Sequence, residues 1–161
     1  TTSIEIAREI LKKKESKKII LPIDFAVAER FSSVAKSEVI DYNRFSVNQI
    51  GLDLGPKTIN MFKAYLRKAR TIVWNGPLGY LEWNKYSKAT QEIGRYIGML
   101  TATSICGGGE TVAAIKKYHL EHEIDYVSTG GGAFLTFLTG KEMPALTALE
   151  KSCKKFKKKV K

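Results

Sequence analysis

Apolar positions along the chain recur at two spacings, and the alternation of these spacings predicts an α/β fold. Apolar residues three or four apart predict amphipathic helices at 3–14, 56–69, 85–99 and 110–120, a short helix ending at Gly140, and a last helix from Pro144. Short apolar runs predict strands at 19–28, 71–74, 102–106 and 125–128, with a possible edge strand at 38–42 and a loop at 43–54. This order predicts a parallel sheet with helices on both faces, a Rossmann-like three-layer arrangement.

The last predicted helix carries an apolar stripe of four residues at helical spacing, Leu146, Leu149, Cys153 and Phe156. An amphipathic helix of this kind normally buries its apolar face against a core. We therefore expect the stripe to dock against the rest of the domain before the terminal lysines begin.

The net charge of +11 comes mainly from the two ends of the chain. Residues 151–161 include seven lysines and no acidic residue, and residues 12–18 hold five more lysines. A basic patch with interleaved aromatic side chains would indicate nucleic-acid binding, whereas terminal lysine runs are more typical of solvated chain ends. Nucleic acid is thus not expected as a partner, and a basic nucleic-acid-binding protein is the more distant alternative.

The composition is that of a single globular domain. The chain has 161 residues, of which 43% are apolar and 27% charged, and no apolar run has the length of a membrane span. Its start lacks the features of a signal peptide, so a cytoplasmic protein with no membrane partner is expected. Two cysteines without ligand-like spacing indicate reduced thiols rather than a disulfide or zinc site. Because the first residue is not Met, the chain is expected to be a fragment.

Four glycine-bearing turns give the strongest indication of function, and they lie at residues 51–56, 75–79, 107–110 and 130–132. The last three directly follow predicted strands. Glycine lets backbone N–H groups approach a bound anion, and a helix start adds a partial positive charge. Because parallel strands end at one edge of a sheet, the turns would line one crevice of the kind that binds nucleotides. The alternative is that they are tight turns without a ligand.

A few side chains near these turns have suitable chemistry. Glu110 and Thr111 would place a magnesium ligand and a hydroxyl at a helix start, although Glu110 could also be a first-turn acid that complements the helix dipole. Glu82 could accept hydrogen bonds from ribose hydroxyls or be an exposed loop acid. Trp74 and Trp83 could stack on a base, but Trp74 lies in a predicted strand and is better suited to the core.

Several familiar chemistries find no support in the sequence. There is no Gly-x-x-x-x-Gly-Lys-Ser/Thr motif and no Gly-x-Gly-x-x-Gly motif. Ser128 lacks the glycine two positions earlier that a nucleophile elbow requires. His119 and His122 lie among charged residues at a helix end, with no acid or nucleophile tied to them.

The glycine turns and their neighbours resemble the signature segments of phosphoglycerate kinase, in that family's order and approximate spacing. The segments are Leu21–Asp24, Gly51–Thr58, Val73–Gly79, Gly107–Ala114 and Ser128–Ala133. The resemblance covers about Leu21 to Leu149, and the Trp-Asn-Gly-Pro and Ser-Thr-Gly-Gly-Gly-Ala blocks together are highly specific.

The resemblance implies a cytoplasmic, two-domain glycolytic kinase that transfers phosphate between 1,3-bisphosphoglycerate and ADP, giving 3-phosphoglycerate and ATP, with Mg²⁺. Residues 1–161 would be the C-terminal portion of its nucleotide-binding domain, and the N-terminal triose-phosphate domain would be absent from this chain. The full-length enzyme is expected to be monomeric. The alternative is an isolated nucleotide-binding or structural fragment without catalysis.

The resemblance also assigns roles to individual residues. Those expected along the base and ribose are Gly51, Leu52, Asn75, Pro77, Tyr80 and Glu82. Those expected to hold phosphate and metal are Gly108, Gly109, Glu110 and Thr111, with Glu110 as the magnesium ligand. Those expected to place helix-terminal amides by the transferred phosphoryl group are Gly130, Gly131 and Gly132.

The chain departs from the family pattern at two of the matched positions. The family usually has Asp where Glu110 stands, so the distance from the carboxylate to the metal differs by one methylene. It usually has a small polar residue where Phe134 stands.

Overall fold

A computed structural model describes residues 2–157 as an α/β fold. The helices are α1 (Thr2–Lys12), α2 (Pro56–Leu66), α3 (Lys88–Gly98), α4 (Gly109–Lys117), α5 (Gly131–Leu138) and α6 (Pro144–Lys157). The strands are β1 (Asp24–Ala28), β2 (Glu38–Asp41), β3 (Ile50–Leu54), β4 (Thr71–Asn75), β5 (Thr103–Gly107) and β6 (Tyr126–Ser128). Short 3₁₀ turns occupy Lys14–Lys18, Tyr42–Arg44, Asn84–Tyr86 and Glu121–Glu123.

Strands β4, β5 and β6 form the predicted parallel sheet, in that order. Thr71 to Asn75 lie opposite Thr103 to Gly107, and Gly107 lies opposite Ser128, so the three strands end together. Helices flank this sheet because each strand is linked to the next by a helical crossover. The glycine turns that follow the strands are therefore brought to one edge, as the pattern predicted.

The main hydrophobic core lies between the parallel sheet and the helices. Ile72 and Trp74 point into it from β4 and meet Ile93 and Ile97 of α3, and all four side chains are buried. The Trp74 indole Nε1 donates a hydrogen bond to the Gly76 carbonyl oxygen at 2.8 Å. Trp74 is thus a core residue that also fixes the following turn.

Strands β1, β2 and β3 form a second, antiparallel sheet that the sequence analysis did not foresee. The strand predicted at 19–28 begins only at Asp24 and pairs antiparallel with both neighbours, and the segment 43–54 predicted as a loop contains β3. Gly51 and Asp53 gave β3 a loop-like composition, since both residue types are rare in strands. The edge strand predicted at 38–42 is confirmed as β2.

The first turn of α2 is capped by a side chain from β1. The buried carboxylate of Asp24 accepts hydrogen bonds from the Lys57 amide at 3.0 Å, the Thr58 amide at 2.7 Å and the Thr58 hydroxyl at 2.6 Å. Gly55 leaves the necessary room, because a Cβ there would lie 2.3 Å from the Asp24 carboxyl carbon. These bonds satisfy helix N–H groups that have no partner within the helix, and they join β1 to α2.

A second buried aspartate serves α3 in the same way. Asp53 of β3 accepts hydrogen bonds from the Leu54 amide at 2.8 Å and from the Ala89 amide at 3.3 Å. Burial raises the pKa of the Asp53 carboxyl to about 6 from its ordinary 3.8, although donated backbone hydrogen bonds and the Lys88 charge offset part of this effect. The neighbouring strands β1 and β3 therefore each supply an aspartate that caps one helix.

The two terminal helices leave their apolar faces in contact with water. On α6, the side chains of Leu146, Leu149, Cys153 and Phe156 are all exposed, so the expected docking of this stripe is wrong. Helix α1 has no buried residue. Among residues 2–157, no helix combines the length and the apolar character that crossing a bilayer requires.

Both cysteines are free thiols, as expected from their spacing. Cys106 of β5 is fully buried, and burial raises the pKa of its thiol. Cys153 is exposed on α6. The two thiols therefore differ in their access to solvent.

We predict that Asp24→Ala lowers the free energy of unfolding by at least about 3 kcal/mol, because it removes a buried carboxylate that accepts hydrogen bonds from the Lys57 and Thr58 amides at the start of α2. The matched control is Asp41→Ala, which removes the solvent-exposed ion pair with Lys57 at 2.7 Å and is expected to cost far less. Urea unfolding monitored by circular dichroism measures both changes. Equal, small losses in the two variants would contradict the role of Asp24 as a cap.

We also predict that Asp53 makes the protein less stable as the pH rises from about 4 to about 7. Its carboxyl binds a proton more tightly in the folded state, so its contribution is complete below the unfolded pKa of 3.8 and is lost as the pH passes the folded pKa of about 6. The full effect is about 3 kcal/mol. Unfolding free energies of the native protein and Asp53→Asn, measured across this range, isolate it because other groups titrate alike in both. Two parallel curves would show that Asp53 titrates normally.

Candidate functional site

Two clefts hold most of the candidate residues. The first, which we call the glycine cleft, has a volume of about 290 Å³ and is lined by Asn75, Gly76, Gly108, Gly109, Glu110, Thr111, Gly131, Gly132 and Leu135. The second, which we call the aromatic cleft, has a volume of about 380 Å³ and is lined by Phe25, Phe31, Ile50, Gly51, Leu52, Asp53, Leu54, Gly79 and Tyr80.

The glycine cleft is built from the carboxyl ends of the parallel strands. Helix α4 begins at Gly109, two residues after β5 ends, and α5 begins at Gly131, three residues after β6 ends. The first amides of each helix lack partners within their helix and carry a partial positive charge. Two helix starts therefore face one cleft, an arrangement that favours an anionic ligand.

Side-chain hydrogen bonds fix the turn that follows β4. Asn75 donates its side-chain N–H to the Gly107 carbonyl oxygen at 2.9 Å, and the Gly76 amide donates to the Thr111 hydroxyl at 2.7 Å. Gly108 has φ of +93°, and a Cβ there would lie 2.9 Å from the Asn75 side-chain nitrogen. Thr111 is buried, and its hydroxyl accepts the hydrogen bond from the Gly76 amide. It therefore both lines the glycine cleft and fixes the turn that forms part of its wall.

Glu110 places the carboxylate of the glycine cleft in the first turn of α4, where its side chain is exposed. Within residues 2–157, no three His, Cys, Asp or Glu side chains are grouped as a metal site. A single carboxylate is nevertheless compatible with Mg²⁺, which commonly binds through one or two carboxylates together with water and the phosphates of a substrate.

Phe134 occupies the space directly above Gly107. A Cβ at residue 107 would lie 2.2 Å from the Phe134 Cδ1, so the ring rests on the glycine backbone. Phe134 is half-buried, and its amide donates to the Gly130 carbonyl oxygen at 3.2 Å. The bulky residue at this position is accommodated by the end of β5 and does not line the glycine cleft.

The aromatic cleft has an apolar wall in which aromatic rings pack edge to face. The ring centroid of Tyr80 lies 4.9 Å from that of Phe31 and 4.7 Å from that of Trp83. The Tyr80 amide donates to the Leu52 carbonyl oxygen at 2.8 Å, which fixes the turn against β3. Flat aromatic faces beside exposed backbone, as at Gly51, suit a planar heterocycle.

Glu82 lies on the loop that leaves the aromatic cleft. Its carboxylate is exposed and does not line either cleft. The preceding Leu81 carbonyl accepts a hydrogen bond from the Tyr118 hydroxyl at 3.1 Å, and the following Trp83 packs in the aromatic group. The loop is therefore held on both sides of Glu82.

The structure brings together most of the residues singled out from the sequence. Gly51, Leu52 and Tyr80 share the aromatic cleft, and the glycine cleft gathers Asn75, Gly108, Gly109, Glu110, Thr111, Gly131 and Gly132. Three candidates, Pro77, Glu82 and Gly130, line neither cleft.

Sequence reasoning missed several residues of the aromatic cleft, namely Phe25, Phe31, Asp53 and Gly79 as lining groups. Asp53 lies within a glycine-bearing turn of the sequence, where a polar residue is common and does not indicate a lining role. Phe31 is distant in sequence and carried no signal that could have found it.

A sequence model of the family described as phosphoglycerate kinase matches residues 1–141. The chain is 45% identical over 150 residues to the phosphoglycerate kinase of Onion yellows phytoplasma, covering 92% of this chain and 38% of that protein. It is 42% identical over 147 residues to that of Limosilactobacillus reuteri, covering 91% of this chain and 36% of that protein.

Solved structures agree with the sequence comparison. Phosphoglycerate kinase from Coxiella burnetii superposes with a TM-score of 0.83 at 38% identity, over 89% of this chain and 38% of that one. The enzyme from Pyrococcus horikoshii gives a TM-score of 0.79 at 35% identity, over 94% of this chain and 37% of that one. The chain thus spans little more than a third of the length of these relatives, and it belongs to the phosphoglycerate kinase family.

Proposed function

We propose that this chain supplies part of the magnesium–nucleotide site of a phosphoglycerate kinase, with the base of ADP or ATP in the aromatic cleft and the phosphates in the glycine cleft. The observation that carries the proposal is the meeting of two helix starts, α4 and α5, at one glycine-lined cleft beside the ends of parallel strands. Open α/β sheets bind nucleotides at this edge.

Phosphate binding is assigned to backbone amides rather than to lysine side chains. Gly108 and Gly109 expose the backbone at the start of α4, where a Cβ at Gly109 would meet no atom within 4 Å. Gly131 and Gly132 do the same at the start of α5, with Gly130 immediately before them. The α5 amides are assigned to the transferred phosphoryl group, because a helix start stabilises the charge carried by its oxygens.

Magnesium is assigned to Glu110, the carboxylate that lines the glycine cleft. Glu110 would hold the ion through its carboxylate, and the bound ion would supply positive charge beside the phosphates. The exposed, unbranched side chain has the freedom to take up the additional methylene relative to Asp. Thr111 supports the site by holding the Asn75–Gly76 turn through the 2.7 Å bond from the Gly76 amide.

The base and ribose are assigned to the other side of the site. Gly51 and Leu52 border the adenine from β3, and Tyr80 flanks it from the opposite wall of the aromatic cleft. Asn75 and Pro77 lie along the chain that connects the two clefts. Glu82, on its anchored loop, is assigned to the ribose hydroxyls.

The reaction proposed for the complete enzyme is reversible transfer of the acyl phosphate of 1,3-bisphosphoglycerate to ADP. Such a transfer depends mostly on positioning and on charge stabilisation, so it requires no protein nucleophile. The phosphoglycerate would bind to a part of the enzyme beyond these residues, in keeping with the share of the relatives that this chain covers. A glycolytic kinase of this kind would act in the cytoplasm, as a monomer.

Glu110→Ala is predicted to weaken ADP binding by the complete enzyme at least about tenfold with Mg²⁺ and less than about twofold without it, since the carboxylate acts through the metal. The matched control is Glu5→Ala, which removes a first-turn acid from α1, away from both clefts. Calorimetric titration of ADP with and without Mg²⁺ measures the four affinities. If Glu110 only complements the helix dipole, the two variants will behave alike and nucleotide affinity will not change.

The isolated 161-residue chain is predicted to form no ATP from 1,3-bisphosphoglycerate and ADP, because closure of a kinase around two substrates needs the binding parts for both. A coupled assay of ATP formation measures this, with the complete enzyme as the positive control. Turnover at an ordinary enzymatic rate, about 1 s⁻¹ or faster, would show that these residues suffice for catalysis.

A further inference from the structure

Asp53 lies where β3, the start of α3 and the Gly79–Tyr80 turn meet. Asp53 belongs to β3 and is only 4% exposed. Its carboxylate accepts hydrogen bonds from the Ala89 amide of α3 at 3.3 Å and from the adjacent Leu54 amide at 2.8 Å. The same residue lines the cleft. Its carboxylate therefore lies behind the wall that the base is proposed to contact.

The turn that carries Tyr80 rests directly on this carboxylate. Gly79 has φ of +75°, and a Cβ there would lie 2.2 Å from the Asp53 Oδ1 and 2.3 Å from the Tyr86 carbonyl oxygen. No side chain fits between the turn and Asp53. One residue later, the Tyr80 amide donates to the Leu52 carbonyl oxygen at 2.8 Å, so the turn is held against β3 on both sides of its bend.

We infer that Asp53 is a positioning residue that holds the Gly79–Tyr80 turn between β3 and α3 and thereby sets the shape of the aromatic cleft. The inference deepens the proposed function, on which its nucleotide-binding consequence rests. Asp53 does not itself touch the base, since its oxygens are turned toward the Leu54 and Ala89 amides. It acts through Tyr80, whose ring forms the aromatic wall with Phe31.

The chain contains a matched control for this residue. Asp24 is also a buried aspartate on a neighbouring strand and also caps a helix, but it does not line the aromatic cleft. Asp53→Asn and Asp24→Asn therefore both remove a buried negative charge from a helix start. Only the first change alters the support of the Gly79–Tyr80 turn.

The test compares these variants in the 161-residue chain by amide hydrogen exchange and by titration with ADP. We expect the Tyr80 amide to exchange at least about tenfold faster in Asp53→Asn, beyond any change at the β5 amides, and ADP to bind at least about fivefold more weakly. In Asp24→Asn, we expect the exchange rate of the Tyr80 amide to change only as much as that of the β5 amides, and the affinity for ADP to be retained. Exchange at Tyr80 that follows β5 in both variants would overturn the inference.

A second variant keeps the test decisive if Asp53→Asn does not fold. Gly79→Ala leaves the carboxylate in place but forces the turn away from it, whereas its control Gly140→Ala has a similar φ of +68° and meets no atom within 4 Å. We expect faster exchange at Tyr80 only in Gly79→Ala, and equal exchange in both variants would overturn the inference. If the unaltered chain binds no ADP, the proposed nucleotide site fails for this chain, and exchange at Tyr80 alone decides the role of Asp53.

Discussion

The buried carboxylate of Asp24 connects the two sheets of this protein. It accepts hydrogen bonds from two backbone amides and one hydroxyl at the start of α2 and so fixes a helix of the parallel region to a strand of the antiparallel one. Asp53 makes the corresponding link from β3 to α3. The Asp53 link bears directly on the aromatic cleft, which is built largely on β3, whereas the Asp24 link joins β1 to α2 outside that cleft.

The two clefts suit different chemical groups because they are built from different elements. The parallel region presents helix starts and glycine backbone, which suit negatively charged groups. The antiparallel region presents ring faces and an apolar strand surface, which suit a flat, uncharged group. A nucleotide combines both kinds of group in one molecule, and the Asn75–Pro77 turn runs between the surfaces that match them.

Much of the parallel region could be predicted from the sequence because its signals are local. Apolar runs ending in glycine, as at 71–76 and 103–108, report a buried strand and its turn together. The antiparallel sheet was harder to predict, because β3 contains Gly51 and Asp53, and the role of Asp53 depends on the Ala89 amide, which is distant in sequence. The docking of α6 was wrong because periodicity shows that a helix has an apolar face without showing what covers it. Phe31 lines the aromatic cleft because the tertiary structure places it there, and no local sequence pattern predicted this position.

The contact between Phe134 and Gly107 links two positions that are far apart in the chain. Since the ring fills the volume that any side chain at 107 would require, neither residue can change freely while the other stays as it is. A smaller residue at 134 would open space above the end of β5, and a larger one at 107 would expel the ring. In evolutionary terms, residues 107 and 134 are expected to vary as a pair, so that the bulk of Phe134 constrains which substitutions are accepted beside the Gly107–Gly109 turn.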